Sequence, residues 1–146
     1  IDKELWDLLY CTVLTIFLDF EDQPMELLQL PQAFTVCKVP DDSQIDLTQD
    51  YCFVGKTAEE FSLVCPTERV PAATTAREDG WRALKVQGIL DFSLVGILSA
   101  IASALAERNI PLFALSTYNT DYILIKEEHF AKAADALRAK GYTVIK

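Results

Sequence analysis

The sequence predicts an α+β protein built of tandem ferredoxin-like (βαββαβ) units, antiparallel sheets with helices on one face, and three observations carry the prediction. Between residues 81 and 146 the apolar period switches in a fixed order, from short runs typical of buried strands to the three- and four-residue steps of a helix face, and back. A capping or breaking residue stands at each switch: Asp91 or Ser93, then Asn109 and Pro111, then Gly141. A weaker, strand-rich version of the same order lies between residues 33 and 73.

In the C-terminal stretch, residues 81–87 (WRALKVQ) read as a strand closed by Gly88. Either Asp91 or Ser93 can accept bonds from the free N–H groups of a helix start. The sequence VGILSAIASALAER follows, with Val95, Leu98, Ile101, Ala102 and Leu105 on one apolar face, and alanines elsewhere hold helix propensity high. Residues 110–116 (IPLFALS) are too short for a helix and suit a buried strand. Residues 122–126 (YILIK) form its hairpin partner across a turn near 117–120. Glu127 and Glu128 favour the positive end of a second helix, whose face carries Phe130, Ala133, Ala134 and Leu137. Gly141 ends that helix, and residues 142–145 supply a last strand.

The first half is less explicit. AFTVCKV is a strand ended by Pro40, DDSQIDLT a turn or a single helical turn, and YCFVG and FSLVCP a hairpin joined by KTAEE. A second helix is ill-defined near residues 68–74. Two related sheets, edge to edge or face to face, and one larger mixed sheet both fit this pattern. Residues 8–20 (LLYCTVLTIFLDF) are strongly apolar but too short to span a membrane, and acids rather than bases flank them. They read as a strand or helix packed onto something. An appended segment, with the natural protein beginning at Met25, is the other reading.

Composition narrows the function. Acidic residues outnumber basic ones by 22 to 13, giving a net charge of −9, so a phosphate backbone is repelled and nucleic acid is not an expected partner. No stretch reads as a membrane anchor. Cys11, Cys37, Cys52 and Cys65 form no CxxC pair and several sit in apolar runs. They are expected to be reduced core cysteines of a cytoplasmic protein, although a disulfide between two of them is open. The one histidine, His129, opens a helix, and no metal-ligand spacing surrounds it.

Two polar segments could carry chemistry. Residues 91–98 (DFSLVGIL) are a strand-to-helix junction with Gly96 early in the helix, where exposed N–H groups attract carboxylates. Gly96 equally well serves close packing, with Asp91 or Ser93 as an ordinary cap. Residues 116–121 (STYNTD) interrupt two apolar strands, and their hydroxyls with Asp121 suit an ammonium group. A solvated turn, with Asn119 and Asp121 bonding their own backbone, is the alternative. The predicted fold brings both segments towards one end of the sheet, where together they would hold the two ends of a zwitterion. No GxSxG, Walker-type loop, GxGxxG or HExxH is present. Glu127 and Glu128 are neighbours on a helix and do not face each other as an acid/base dyad. Trp6 and Trp81 read as core or interface anchors.

WRALKV, LDFSLVGIL and IPLFALSTYNTDYILI, with the helix after them, resemble the ACT-domain subgroup related to the CASTOR arginine sensors and the aspartate-kinase regulatory domains. The closest resemblance is to small bacterial proteins carrying two such domains. It is specific over residues 80–140 and looser over 30–70, through FTVCKVP and EEFSLVCP, and residues 1–24 resemble nothing in that family. It implies an extra segment over 1–24, an abbreviated first ACT-like domain over 25–74 and a second over 75–146. It also implies a non-catalytic sensor without cofactor or metal, binding an amino acid between ACT units, often across a homodimer. Carried over by motif, the ligand-binding residues are Asp91, Ser93, Leu94, Val95, Gly96 and Ile97 from the junction, with Ser116, Thr117, Tyr118, Asn119, Thr120 and Asp121 from the hairpin. No kinase or dehydrogenase sequence is attached. A dimerisation or interaction module without ligand is the rival reading. An acyl-phosphate hydrolase on the same fold would want a basic phosphate loop, and the junction offers no arginine.

Overall fold

In the computed structural model, which describes residues 3–4, 25–87 and 96–146, the chain folds around one long strand, β1 (Glu26–Lys38). β2 (Phe53–Lys56) and β3 (Phe61–Pro66) follow as a hairpin, then a single 3-10 turn at Thr67–Arg69 and a second long strand, β4 (Ala76–Val86). Then come α1 (Ile97–Ala106), β5 (Phe113–Ser116), β6 (Asp121–Lys126), α2 (Glu127–Ala139) and β7 (Thr143–Ile145). The βαββαβ order of the second half is therefore present from β4 to β7.

The strands form one sheet rather than two, in the order β2-β3-β1-β4-β6-β5. β7 lies parallel to the start of β1, pairing Glu26 with Thr143 and Leu28 with Ile145, so the sheet is mixed where antiparallel sheets are expected. The cause is the length of β1 and β4. They pair antiparallel from Leu27↔Val86 to Lys38↔Ala76, so each serves both halves of the molecule. β4 accordingly begins at Ala76, well before the strand predicted from residue 81. β1 departs from regular register between Gln29 and Ala33, where Pro31 has no N–H to give to a ladder, and again between Phe34 and Val36.

Leu27, Leu84, Val86, Ile123 and Ile125 on one face of the sheet meet Ile97, Ile101, Leu105, Ala133 and Leu137 of the two helices. Leu30, Phe34, Val64, Ala83, Tyr122 and Leu124 fill the other face, with Tyr51, Phe53, Trp81 and Phe113 packed on them. The sheet curls around this second face. β2 and β6 are four strand spacings apart, about 19 Å if flat, yet the rings of Phe53 and Tyr122 are 5.1 Å apart edge to face. The irregularities of β1 supply the bend.

Both helices end as their sequences foretell. Asn109 (φ 57°) closes α1 and Gly141 (φ 97°) closes α2. Ile110 N–H reaches Leu105 O (3.1 Å) and Tyr142 N–H reaches Leu137 O (3.1 Å), the wrapped-back bond of a Schellman motif. No helix forms after β1. There Asp41 Oδ1 accepts from Ser43 N–H (2.9 Å) and Asp46 Oδ1 from Thr48 N–H (2.9 Å), local bonds that hold two successive turns. The ill-defined helix near residues 68–74 is only the 3-10 turn.

The two hairpins are copies. β2 pairs with β3 from Phe53↔Val64 to Lys56↔Phe61, and β5 with β6 from Phe113↔Leu124 to Ser116↔Asp121, each residue of the second 60 positions after its counterpart. β3 stands against β1 as β6 stands against β4, with Phe34↔Pro66 matching Trp81↔Lys126. Cys37 and Cys65 are buried, Cys52 is half-buried, and all three are free thiols. Cys11, Trp6 and the apolar run 8–20 fall outside the described residues, as do Gly88 and the start of the junction.

Candidate functional site

Thr120 joins the hairpin to the rest of the sheet. Its side chain is 3 % exposed, and its Oγ1 donates to the backbone oxygen of Val86 at 2.7 Å, the last residue of β4. The STYNTD hairpin is thereby fastened to the point where the chain leaves the sheet towards α1. A buried hydroxyl needs such a partner, and the carbonyl at the end of β4 supplies it.

The other hydroxyls bond locally. Thr117 N–H donates to Thr120 O (2.9 Å), Thr117 Oγ1 donates to the same oxygen (3.2 Å) and accepts from Thr120 N–H (3.4 Å). Ser116 Oγ donates to Asp121 Oδ1 at 2.6 Å across the strand pair. That bond orients the Asp121 carboxylate, which has lone pairs beyond the one it uses. Tyr118, 79 % exposed, and Asn119 stand at the tip. Ser116 and Asp121 therefore bond each other across the strand pair, Thr117 and Thr120 hold the turn, and Tyr118 and Asn119 reach outward.

At the junction, Gly96 is the residue before α1, with φ 86° and no side chain capping the helix there. A positive φ is the reason for glycine at this position. Among the described residues its Cβ would meet nothing within 4 Å, so the conformation is the reason for glycine that the structure shows. Its carbonyl accepts from Ala100 N–H (2.8 Å). Ile97 is 6 % exposed and packs inward beneath the helix, so its backbone rather than its side chain could face a ligand. Asp91, Ser93, Leu94 and Val95 lie outside the described residues.

The strongest polar network lies elsewhere, at the other end of β4. Thr35, fully buried, donates from Oγ1 to Asp79 Oδ1 at 2.6 Å and lies 3.0 Å from the Thr67 hydroxyl. Arg77 grips the same carboxylate through Nε (3.2 Å) and Nη2 (2.8 Å). The Arg77 guanidinium, and after it the Thr35 hydroxyl, hold the Asp79 carboxyl below the usual range. Beside it Lys126 donates to Glu78 Oε2 (2.9 Å) and Asp79 O (2.6 Å), and its Nζ sits 4.8 Å from the Trp81 ring centre. The only hint in the sequence is a threonine inside AFTVCKV. Burial pushes the Cys65 thiol up to about 12, which makes it inert rather than nucleophilic. Among the described residues no group of His, Cys, Asp and Glu is arranged to hold a metal ion. His129 lies 3.7 Å from Glu128 at the start of α2. No described helix is long and apolar enough to cross a membrane.

Comparison with known proteins bears on the fold. Residues 76–139 match the family described as the ACT domain. A solved structure of a protein from Agobacterium tumefaciens is 25% identical, with a TM-score of 0.74, over 84% of this chain and 92% of that one. A protein of unknown function from Vibrio cholerae, described as a possible transport protein, is 22% identical with a TM-score of 0.63, over 86% of this chain and 96% of that one. The regulatory subunit of aspartate kinase from Thermus thermophilus shares the fold at 10% identity and a TM-score of 0.54, over 78% of this chain and 95% of that one. No curated protein matches the chain.

Proposed function

We propose, from the premise that residues 76–139 form an ACT domain, that the protein is a non-catalytic regulatory module that binds an amino acid or a similar small molecule. The ligand lies against the STYNTD hairpin and the β4–α1 junction, at an interface between ACT units of one chain or of two. Its ammonium group faces Asp121 and Ser116, and its carboxylate faces the first amides of α1 after Gly96. The observation that carries this reading is the bond from Thr120 to Val86 at 2.7 Å, because it fixes the polar hairpin beside the exit of β4. The likeness to a regulatory subunit of aspartate kinase supports a regulatory role. The register copy of the hairpin supports an abbreviated ACT-like unit over 25–74 ahead of the one over 75–146.

Thermal unfolding of the whole chain against each of the twenty amino acids at millimolar concentration tests it. A ligand at a hundred times its dissociation constant adds about 2.7 kcal/mol of stability. One or two amino acids should raise the melting temperature, and Asp121→Ala should abolish the shift. A flat response to all twenty refutes amino-acid binding.

A second reading has an observation of its own. Among the described residues β5 pairs only with β6 and β2 only with β3, so within that set each leaves a row of N–H and C=O groups open to a further strand. Pairing of two chains along these edges makes a homodimer with or without ligand. Sedimentation equilibrium decides it: a concentration-independent monomer rules the dimer out.

A further inference from the structure

The hairpin repeat extends to the surroundings of each hairpin. Where Phe34 of β1 corresponds to Trp81 of β4 through their partners Pro66 and Lys126, Val39 corresponds to Val86. Val86 O holds the second hairpin through Thr120, and Val39 N–H holds the first by donating to Phe61 O at 3.0 Å. Both turns are built on a threonine. Thr57 N–H donates to Glu60 O (2.9 Å), as Thr117 N–H does to Thr120 O (2.9 Å), and Thr57 Oγ1 accepts from the amides of Glu59 and Glu60, both at 3.2 Å.

The connections that follow the two strands differ. After β4 the chain runs through residues 87–112 and includes α1, while after β1 it runs only through 39–52 and returns without a helix. The place beside the first hairpin is left as an open depression of about 420 Å³. Lys38, Lys56, Glu59, Glu60, Phe61 and Thr75 form most of its wall. This wall carries both signs of charge around an aromatic ring. Lys38 Nζ is 3.7 Å from Glu60 Oε2, both side chains about half exposed, and Lys56 Nζ donates to Thr57 O at 2.7 Å. An exposed pair at such a distance contributes little, so turning either lysine onto an incoming carboxylate forfeits little.

We infer that this depression is a second binding site, quasi-equivalent to the one at the STYNTD hairpin, for a small zwitterion of the amino-acid class. Lys38 and Lys56 take the carboxylate, Glu59 and Glu60 the ammonium group, and Phe61 the side chain. The class of ligand rests on the function proposed above; the location rests on the repeat and the cavity alone.

Amide chemical shifts of the full chain, recorded while L-glutamate, L-lysine and L-leucine are titrated separately to millimolar concentrations, report the two hairpins independently. Saturable shifts at residues 57–61 are expected with at least one of the three. Lys56→Ala and Lys38→Ala should each weaken that binding by about tenfold, as the loss of one charged hydrogen bond does, and Lys56→Arg should retain it. Shifts confined to residues 117–121 and the start of α1 overturn the second site and leave the proposed function standing. Shifts at neither hairpin count against both. Shifts at 57–61 that both alanine variants leave unchanged overturn the assignment of the lysines and with it the site.

Discussion

The two halves of the sheet carry the same hairpin in the same register but are roofed differently, and the difference is written in their buried side chains. Over β4 and β6 lie two helices, and the residues beneath them are Leu84, Ile123 and Ile125. At the corresponding positions of β1 and β3 stand Cys37, Leu63 and Cys65, covered by Ile45 of the β1–β2 connection and Val70 of the segment before β4. Beneath the loops two of the three positions carry cysteine where the helices cover Leu84 and Ile125, while Leu63 keeps the size of its counterpart Ile123. The cysteines of the first half are thus packing choices. The first hairpin keeps the register of the second without a helix over it.

Truncating matched residues on the two sides tests this comparison most severely. Ile123→Ala, beneath the helices, should cost about 3–4 kcal/mol, and Leu63→Ala, beneath the loop, about 2–3 kcal/mol, because the looser roof can settle into the space left behind. Both side chains are essentially fully buried, so burial alone predicts equal losses. Urea unfolding measures each. Leu63→Ala losing as much as Ile123→Ala would mean that the loop is as rigid a cover as the helices.

The next contrast lies in how each hairpin is fastened. Thr120→Val keeps shape but leaves Val86 O unpaired in a buried site, at about 1–2 kcal/mol. Its counterpart Glu60→Gln touches an exposed ion pair and should stay within about 0.5 kcal/mol of the natural protein. If ligand binding follows the proposed function, Thr120→Val should also weaken the ligand-induced rise in melting temperature, since the hairpin is then free to leave the end of β4. Undiminished ligand stabilisation in that variant would separate the hairpin's anchoring from its binding.

Much of this was legible in the sequence, and the parts that were not have physical causes. α1, β5, β6, α2 and β7 could be placed because each has an unmixed period and a distinctive stop, such as Asn109 or Gly141. The hairpin of the first half was legible too, through YCFVG and FSLVCP. The single mixed sheet was one of two arrangements that the pattern left open, since nothing in residues 76–80 (AREDG) resembles a strand and so nothing chooses it over two sheets. The polar side chains of that segment find their partners only in the fold, where Thr35 of β1 donates to Asp79 and Lys126 of β6 to Glu78. The place of β7 beside β1 is likewise a tertiary outcome that no local pattern announces. At the site, the polarity of STYNTD was visible, but its division into Ser116 bonded to Asp121 across the strand pair and Thr117 and Thr120 holding the turn depends on which hydroxyl meets which oxygen. The copy at KTAEE was readable in principle, by setting FVGKTAEEF beside FALSTYNTD.

The glycines supply a smaller contrast. Gly96→Ala forces a side chain into φ 86° with no atom of the described residues within 4 Å, so its cost should be backbone strain, about 1 kcal/mol. Gly55→Ala, in β2, places a Cβ at an ordinary 3.9 Å from Ser62 Cβ and should be neutral or slightly stabilising. A loss at Gly96 well beyond this, by denaturant unfolding, would mean that the glycine is needed for more than its conformation.

The smallest expected effect belongs to the Asp79 network that ties β1, the 3-10 turn and β4 together. The Asp79 carboxyl titrates below its ordinary 3.8 because Arg77 and Thr35 bond the charged form. A group whose pKa is lower folded than unfolded stabilises the fold above the unfolded value and loses that contribution as pH falls through the folded one. The natural protein should therefore lose more stability than Asp79→Asn between pH 5 and pH 2, and the two should run parallel from pH 5 to pH 7. Arg77→Ala should shrink the difference, since the guanidinium is the first cause of the depressed pKa. Urea midpoints across that range read it directly. Parallel curves for the natural protein and Asp79→Asn down to pH 2 would show that the exposed side of the carboxylate is solvated well enough to cancel its bonds. The join between the two halves would then rest on the β1–β4 ladder and the apolar side chains packed on its two faces.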